Sequence, residues 1–318
     1  MATVTETRQP EAEAEVVRVN FADALRAATI GIRFSKTAFG LSKALSPEQK
    51  RDIGRLFSGD ATMMAASKKL LDSKSPQLKR VTGVLNDAKE YWISQTVPYP
   101  VKGIRLMNQD RLDAFAESME ARQSRLAAHL VDLDNAYVTM RSEAQRRLGH
   151  PLFNASDYPV SIADSYSFTW EPDNSDPPPY LSRLAPSIFR REQQRVAQRF
   201  DDAVNLAEAA FQSELVQAVD HMIKTLTKPD EKTGRERHFK DSLVGNLQTF
   251  FSRFREMSIG SNDALEAVVQ QTEQLLSGVT PDALRSDAAF RADVGARMQS
   301  VRQEIEDAVV VRPKRRLR

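Results

Sequence analysis

Histidine, the residue most often used to bind metals and to transfer protons near neutral pH, occurs only four times in this 318-residue sequence. Asp132 and Asp134 are two positions apart, so on a helix they point to different sides and cannot form a carboxylate pair. The histidines form neither an H-E-x-x-H motif nor a pair at helical spacing. They are His129, His150, His221 and His238. The sequence therefore assigns no catalytic residue and no metal ligand.

Motifs for phosphate binding and nucleophilic catalysis are absent as well. The chain contains no G-x-x-x-x-G-K-[ST] loop, no G-x-G-x-x-G after a strand and no G-x-S-x-G elbow. Cysteine is absent, which excludes disulfides, thiol nucleophiles and cysteine-based zinc sites. We therefore predict a protein without a cofactor and without enzymatic activity. An enzyme would require a polar pocket that unites residues distant in the sequence.

The C-terminal residues 311–318 form a basic tail on a chain of net charge +2, and the rest of the chain is mildly acidic. Such a tail can contact phosphates or an acidic partner, or it can be a solvated end. Its cations are Arg312, Lys314, Arg315, Arg316 and Arg318. Nucleic-acid binding through this tail is expected to be weak, indifferent to sequence and sensitive to salt.

Two groups of aromatic residues are candidates for binding. Tyr166, Phe168 and Trp170 alternate along a predicted strand and so lie on one face, where they can stack on nucleic-acid bases or form part of a core. Phe250, Phe251 and Phe254 can likewise form a partner-binding face or part of a helical core. In both cases the core interpretation is the more common one.

The elements that must position these side chains are predominantly helical. The sequence has only 12 glycines and 7% aromatic residues, which weighs against a sandwich or barrel. No apolar run is long enough to span a bilayer, and the polar, acidic N-terminus lacks the hydrophobic core of a signal peptide. We therefore expect a cytoplasmic protein with no membrane partner.

Two long segments without proline or glycine predict two long helices, over about 108–148 and 186–226. In the first, apolar residues recur every seven positions, which is typical of a helix packed against another helix. These residues are Leu112, Met119, Leu126, Leu133 and Met140. The predicted fold class is mainly α, with the two helices as a long antiparallel hairpin flanked by small bundles and at most a two-stranded β element.

The segment between the long helices, residues 149–185, contains one plausible strand at 165–170. This strand can lie at the tip of the hairpin, which is slightly favoured, or it can pair with a short strand at 101–106. Around the hairpin (101–226) we predict a disordered leader (1–15), an N-terminal helical bundle (16–100), a C-terminal bundle (227–310) and the basic tail. Ser46-Pro47, Ser75-Pro76, Ser261 and Thr280-Pro281 are the expected helix starts.

A set of short motifs around the first long helix resembles a known protein family. The helix is preceded by a Thr-x-Pro and a Gly-x-Arg-Leu element, and it ends in Leu-Gly, Leu-Phe-Asn and Asp-Tyr-Pro before a strand that carries phenylalanine. The matching residues are Thr96, Pro98, Gly103, Arg105, Leu106, Leu148, Gly149, Leu152, Phe153, Asn154, Asp157, Tyr158, Pro159 and Phe168. The pattern is similar to helical proteins of bacteriophages and related mobile elements, and it covers about residues 80–225. Pro177-Pro178-Pro179 departs from the shorter proline element of that pattern.

The family has no established activity, so the resemblance implies no catalytic residue. It implies a protein of a bacterial host cell whose relatives are encoded near AAA+ ATPase or replication and recombination genes. Together with the heptad pattern, this predicts a non-enzymatic interaction or scaffold protein with a protein partner, in an AAA+ ATPase-linked system. The alternative is a nucleic-acid-associated accessory protein that uses the basic tail.

Overall fold

The computed structural model describes residues 21–56, 60, 63, 65–174, 176–227, 242–258 and 262–310. These residues form two compact units that alternate along the chain. Unit 1 comprises the described residues within Met1–Gly31, Thr96–Gln109 and Asp173–Arg318, and unit 2 those within Ile32–Gln95 and Asp110–Pro172. The predicted leader 1–15 and the basic tail lie outside the described residues.

Helices account for most of the described chain, which confirms the mainly α prediction. They are α1 (21–28), α2 (Pro47–Leu56), α3 (Pro76–Ser94), α4 (Leu112–Leu152), α5 (Leu181–Leu184), α6 (Pro186–Thr227), α7 (Ser242–Met257), α8 (Asp263–Leu276), α9 (Pro281–Ser286) and α10 (Ala288–Val310). Within the described ranges, none of these helices is both long and apolar enough to cross a membrane.

The β structure is larger than the predicted two-stranded element. The strands are β1 (Thr29–Thr37), β2 (Ser42–Ala44), β3 (Ser67–Lys69), β4 (Val97–Pro98), β5 (Ile104–Asn108) and β6 (Ser167–Asp173). One sheet has the order β4-β5-β1-β6, and β2 pairs with β3 in a second, antiparallel sheet. In the first sheet, β4 and β5 are antiparallel, with Val97 opposite Leu106 and Pro98 opposite Arg105.

Strand β1 corrects the prediction that the N-terminal region is a helical bundle. It lies between β5 and β6, so the predicted strand near 165–170 shares a sheet with residues 104–108 without pairing with them directly. Gly31 permits a close approach of backbones here, because a Cβ atom at this position would lie 2.7 Å from the carbonyl oxygen of Asp173.

Several predicted helix starts are confirmed. Before α2, the Ser46 hydroxyl accepts from the Gln49 N–H at 3.2 Å and the Gln49 side chain accepts from the Ser46 N–H at 3.1 Å, which is a reciprocal capping box. The Thr280 hydroxyl caps α9 by accepting from the N–H of Ala283. The side chain of Asn262 caps α8 by accepting from the N–H of Leu265, and the predicted cap, Ser261, lies outside the described residues.

Unit 2 is built on the contact between α3 and α4. The buried residues of α3 include Leu78, Leu85 and Trp92, and those of α4 include Phe115 and Leu133. The other buried residues of α4 are Met119, Leu126, Tyr137 and Ala144, and they continue the same helical stripe. The α4 stripe is therefore a core face of unit 2.

Unit 1 is built around α6, which contacts α5, α7, α8, α10 and β4. The ring of Phe211 in α6 packs edge-on against Phe250 and Phe254 of α7, with ring centroids 6.2 and 5.1 Å apart. Phe250, Phe251 and Phe254 are all buried, so they form part of a core.

The two long helices are confirmed in extent, but the expected pairing between them is corrected. The apolar stripe of α4 packs on α3 in unit 2, whereas the stripe of α6 packs on α7 and α10 in unit 1. A periodic apolar stripe shows which side of a helix is buried, and it carries no information about which element covers it. The described units accordingly interleave in sequence, where consecutive domains were predicted.

Candidate functional site

The motif residues at the end of α4 form a tightly bonded corner in unit 2. Gly149 has φ of +63° and ψ of −178°, a conformation open essentially to glycine, and the peptide bond between His150 and Pro151 is cis. Asn154 follows with a turn of its own, because its side chain accepts from the N–H of Ser156 at 3.0 Å. The glycine and asparagine of the motif therefore turn the chain after the long helix.

Asp157 anchors this corner through two lysines. Its Oδ1 atom accepts from Lys43 Nζ at 2.6 Å, and its Oδ2 atom lies 2.6 Å from Lys68 Nζ. The side chains of Asp157 and Lys68 are only 3% and 4% exposed, whereas that of Lys43 is 56% exposed. Burial alone would raise the pKa of the Asp157 carboxyl, but hydrogen bonds from the two lysines outweigh burial and hold the pKa below its ordinary value of 3.8.

Side chains from elsewhere in unit 2 bind the backbone of the same corner. Lys68 Nζ donates to the carbonyl oxygen of Leu152 at 2.6 Å, and Gln49 Nε2 donates to that of Pro151 at 2.9 Å. The hydroxyl of Tyr158 donates to the carbonyl oxygen of Leu70 at 3.0 Å. Lys68 thus has two close internal partners and a side chain that is only 4% exposed, so this cluster acts as a structural clamp.

The Thr-x-Pro and Gly-x-Arg-Leu motifs form a second bonded pair, on the β4–β5 hairpin in unit 1. Arg105 Nε donates to the hydroxyl of Thr96 at 2.7 Å, and its Nη2 atom donates to the carbonyl oxygen of the same residue at 2.8 Å. Burial and then repulsion by Arg253 lower the pKa of Arg105 to about 10, while Glu214 opposes the shift. Arg253 itself forms an ion pair with Glu214. Arg105 therefore stabilises the β4–β5 hairpin.

The aromatic strand face is part of the core of unit 2, which is the more common of the two interpretations that the sequence offered. Tyr166 and Phe168 are each 3% exposed, and the ring of Phe168 stacks on Phe34 with centroids 5.9 Å apart. Trp170 is half-buried and meets the ring of Phe115 edge-on at 5.4 Å. Burial raises the pKa of Tyr166 to about 12. Tyr166 and Phe168 are therefore too buried to receive bases without rearrangement.

The scattered acid–base residues stay scattered in the structure. Asp132 lies 3.9 Å from Arg80 at the surface, and Asp134 accepts from the backbone N–H of Ile162 at 3.0 Å, which fixes the loop beside α4. Of the histidines, His129 is half-buried, His150 and His221 are exposed, and His238 lies outside the described residues. Among the described residues, no group of three or more His, Asp or Glu side chains could hold a metal ion.

The exposed side of α4 shows the feature best suited to binding. Eight exposed residues on this side carry no charge, although charged residues flank them. They are Ser124, Ala127, Ala128, Val131, Asn135, Val138, Ser142 and Gln145, named here the α4 strip. Val131 is 63% exposed and Val138 is 72% exposed. From Ser124 to Gln145 the strip extends about 32 Å at 1.5 Å per residue.

The α4 strip has the spacing of a helix-packing surface. Ser124, Val131, Val138 and Gln145 recur every seven residues, and the small residues between them allow a second helix to come close. The hydroxyl of Ser142 donates to the carbonyl oxygen of Val138 within the helix at 3.0 Å, so it needs no outside partner. Sequence inspection missed this surface because the strict heptad of larger residues on the buried side dominated the pattern.

The cations of the basic tail, Arg312 to Arg318, lie outside the described residues, so their role stays a prediction. Comparison of the chain with family models, with characterised proteins and with solved structures found no match. The resemblance to phage and mobile-element proteins therefore also stays a prediction.

Proposed function

We propose that this chain is a non-enzymatic interaction protein that binds a helix of a partner protein along the α4 strip. The observation that carries the proposal is the exposure of Val131 and Val138, one heptad apart, within a strip that has no charge. Surface helices of globular proteins normally present charged residues to water. An uncharged exposed side with heptad spacing is what a partner helix requires.

The construction of unit 2 supports this proposal. Helix α4 is held on its other side by α3, and the corner after it is clamped by Asp157 and Lys68. Because the helix is already fixed in this way, little conformational entropy is lost when a partner binds, and the affinity is correspondingly higher. The clamp and the strip thus have complementary roles, one fixing the helix and the other contacting the partner.

The biological setting belongs to the same proposal. The motif set of residues 96–106 and 148–168 supports a protein of a bacteriophage or mobile element that acts in the cytoplasm of its bacterial host. On this basis the partner belongs to an AAA+ ATPase-linked or replication and recombination system. In that setting the chain serves as a scaffold or adaptor and performs no chemistry itself.

Affinity purification from host cells tests the proposal. The wild-type chain is compared with Val131→Glu/Val138→Glu, which places two charges in the strip, and with Val160→Glu as a matched control. Val160 is fully exposed, at 101%, and lies in a loop of the same unit. We expect wild type and Val160→Glu to recover the same partner protein at the same molar ratio of partner to chain.

The double variant is expected to recover at least about tenfold less partner, which corresponds to about 1.4 kcal/mol of binding free energy. Unchanged tryptophan fluorescence in all three proteins would show that unit 2 is folded. Recovery of the chain without any stoichiometric partner, or equal recovery by the double variant, would contradict the proposal.

A further inference from the structure

A row of arginines lies on the first four turns of α6, in unit 1. Arg191, Arg195 and Arg199 are spaced by four residues, so they lie on one side of the helix and about 6 Å apart along its axis. The opposite side, which includes Val196 and Phe200, is buried in the core of unit 1. These three residues are named here the α6 arginine row.

The described residues leave this row with little charge compensation. Arg191 and Arg199 have no ion-pair partner among them, and Arg195 pairs with Glu192 at 2.5 Å on the same exposed helix. A partly exposed pair within one helix contributes little stability, so it holds Arg195 only weakly. Residues 183–202 contain five arginines against Glu192, Asp201 and Asp202, so this segment alone carries a net charge of +2, as much as the whole chain. Positive charge is thus concentrated on this surface.

The row begins close to the N-terminal end of α6, which carries a partial positive charge. The first turn of the helix contains no acidic residue, so no carboxylate offsets this charge before Arg190 and Arg191 follow in the second turn. A bound polyanion would offset this positive charge along the length of the row.

Exposed apolar residues lead directly into the row. Tyr180, just before α5, is 55% exposed, Leu184 at the end of α5 is 77% exposed, and Ile188 in the first turn of α6 is 43% exposed. In a helix that lies on a membrane, an apolar side runs along the whole helix. In α6 the lengthwise apolar side is buried, and the exposed apolar residues instead precede the basic ones along the chain. A single nucleic-acid strand supplies both groups that such a surface can bind, phosphates for the arginines and unstacked bases for the exposed apolar residues.

We infer that the α6 arginine row binds single-stranded nucleic acid. The three arginines contact successive phosphates, and Tyr180, Leu184 and Ile188 receive unstacked bases. A duplex offers the same phosphates but keeps its bases stacked, so the apolar residues favour the single strand. This inference is independent of the α4 strip and of the basic tail.

Fluorescence anisotropy of the full chain tests the inference. The probes are a labelled single strand of about 20 nucleotides and the matching duplex, measured at about 50 and about 200 mM salt. Arg191→Gln/Arg195→Gln/Arg199→Gln removes the row and keeps good helix formers. The matched control, Arg51→Gln/Arg80→Gln/Arg146→Gln, removes the same charge from scattered exposed positions in unit 2.

We expect the wild type to bind the single strand more tightly than the duplex. Each phosphate contact contributes about 0.7 to the log–log salt slope for single strands, so the row variant should lower the slope by about two. Raising the salt from about 50 to about 200 mM should therefore weaken the wild type about 15-fold more than it weakens the row variant. The control variant should keep the wild-type slope, and Tyr180→Ala should weaken single-strand binding only.

Three results would overturn the inference. The first is a wild-type chain that binds neither probe at the lower salt. The second is binding that survives in the row variant and disappears when residues 311–318 are removed, because the tail would then be the site. The third is equal or tighter binding to the duplex, or binding of the row only to anionic phospholipid vesicles, because the ligand would then be a different polyanion.

Discussion

Replacing Asp157 with asparagine should destabilise unit 2 strongly. The substitution keeps the size of the side chain but removes the charge that faces Lys68, whose side chain is only 4% exposed. Breaking a buried ion pair and leaving one charge without compensation costs about 3–5 kcal/mol. The Lys43 contact contributes little, because that side chain is 56% exposed. Lys43→Met is therefore a matched control, with an expected loss below about 1 kcal/mol.

Tryptophan fluorescence during urea unfolding measures this effect in unit 2 alone. The chain has two tryptophans, Trp92 and Trp170, and both belong to unit 2. With a denaturant slope of about 2 kcal/mol per molar urea, the unfolding midpoint of Asp157→Asn should fall by about 1.5–2.5 M. The midpoint of Lys43→Met should move by less than about 0.5 M.

The pH dependence supplies a second check on the same pair. The pKa of Asp157 is lowered in the folded state, so its contribution to the unfolding free energy is complete above the ordinary value of 3.8 and is lost as the pH falls below it. The difference in stability between wild type and Asp157→Asn should therefore shrink as the pH is lowered below 3.8. If Asp157→Asn loses no more unfolding free energy at neutral pH than Lys43→Met does, the structural role assigned to Asp157 and Lys68 is refuted.

Two further substitutions test the corner with the same fluorescence assay. Gly149→Ala forces a side chain into φ of +63°, so we expect a loss of about 1–3 kcal/mol. Gly83→Ala, inside α3 with nothing within 4 Å, should instead raise stability by about 0.5–1 kcal/mol. Tyr158→Phe removes the hydrogen bond to Leu70 and should cost about 1 kcal/mol, or somewhat more for the buried acceptor left behind. A Gly149→Ala protein as stable as Gly83→Ala would contradict the assigned backbone conformation.

The helices could be predicted because their signals are local. Helix α2 starts after Ser46 as predicted, with Gln49 completing a capping box, and α6 covers Pro186–Thr227 where 186–226 was predicted. Both results depend on side-chain chemistry within a few residues and on an uninterrupted apolar period. Neither requires knowledge of what the helix packs against.

The missed strand β1 had a local signal too. Ile30, Ile32 and Phe34 alternate with other residues, as expected for a strand with one buried face, and Ile32 and Phe34 are buried. The surrounding helical pattern, which extends through residues 21–28, obscured this short alternation. Its place between β5 and β6 was beyond prediction, because strand order depends on contacts between residues far apart in the sequence.

The candidate site was only partly visible in the sequence. Asp157 belonged to a recognised motif, but its lysine partners at positions 43 and 68 lie about a hundred residues away and carry no motif of their own. Tyr166 and Phe168 were seen as a group, yet alternation alone cannot distinguish a core face from an exposed one. The α4 strip could not be predicted, because recognising it requires knowing which side of α4 other elements cover.

Site-specific photocrosslinking in host cells is the most direct test of the claim that α4 binds a partner. A photoreactive amino acid is placed at position 131, at position 138 and, as a control, at position 160, where exposure is 101%. We predict that positions 131 and 138 give one adduct with the same partner protein, and that position 160 gives none. Absence of an adduct from both α4 positions, or equal adducts from position 160, would contradict the proposed function.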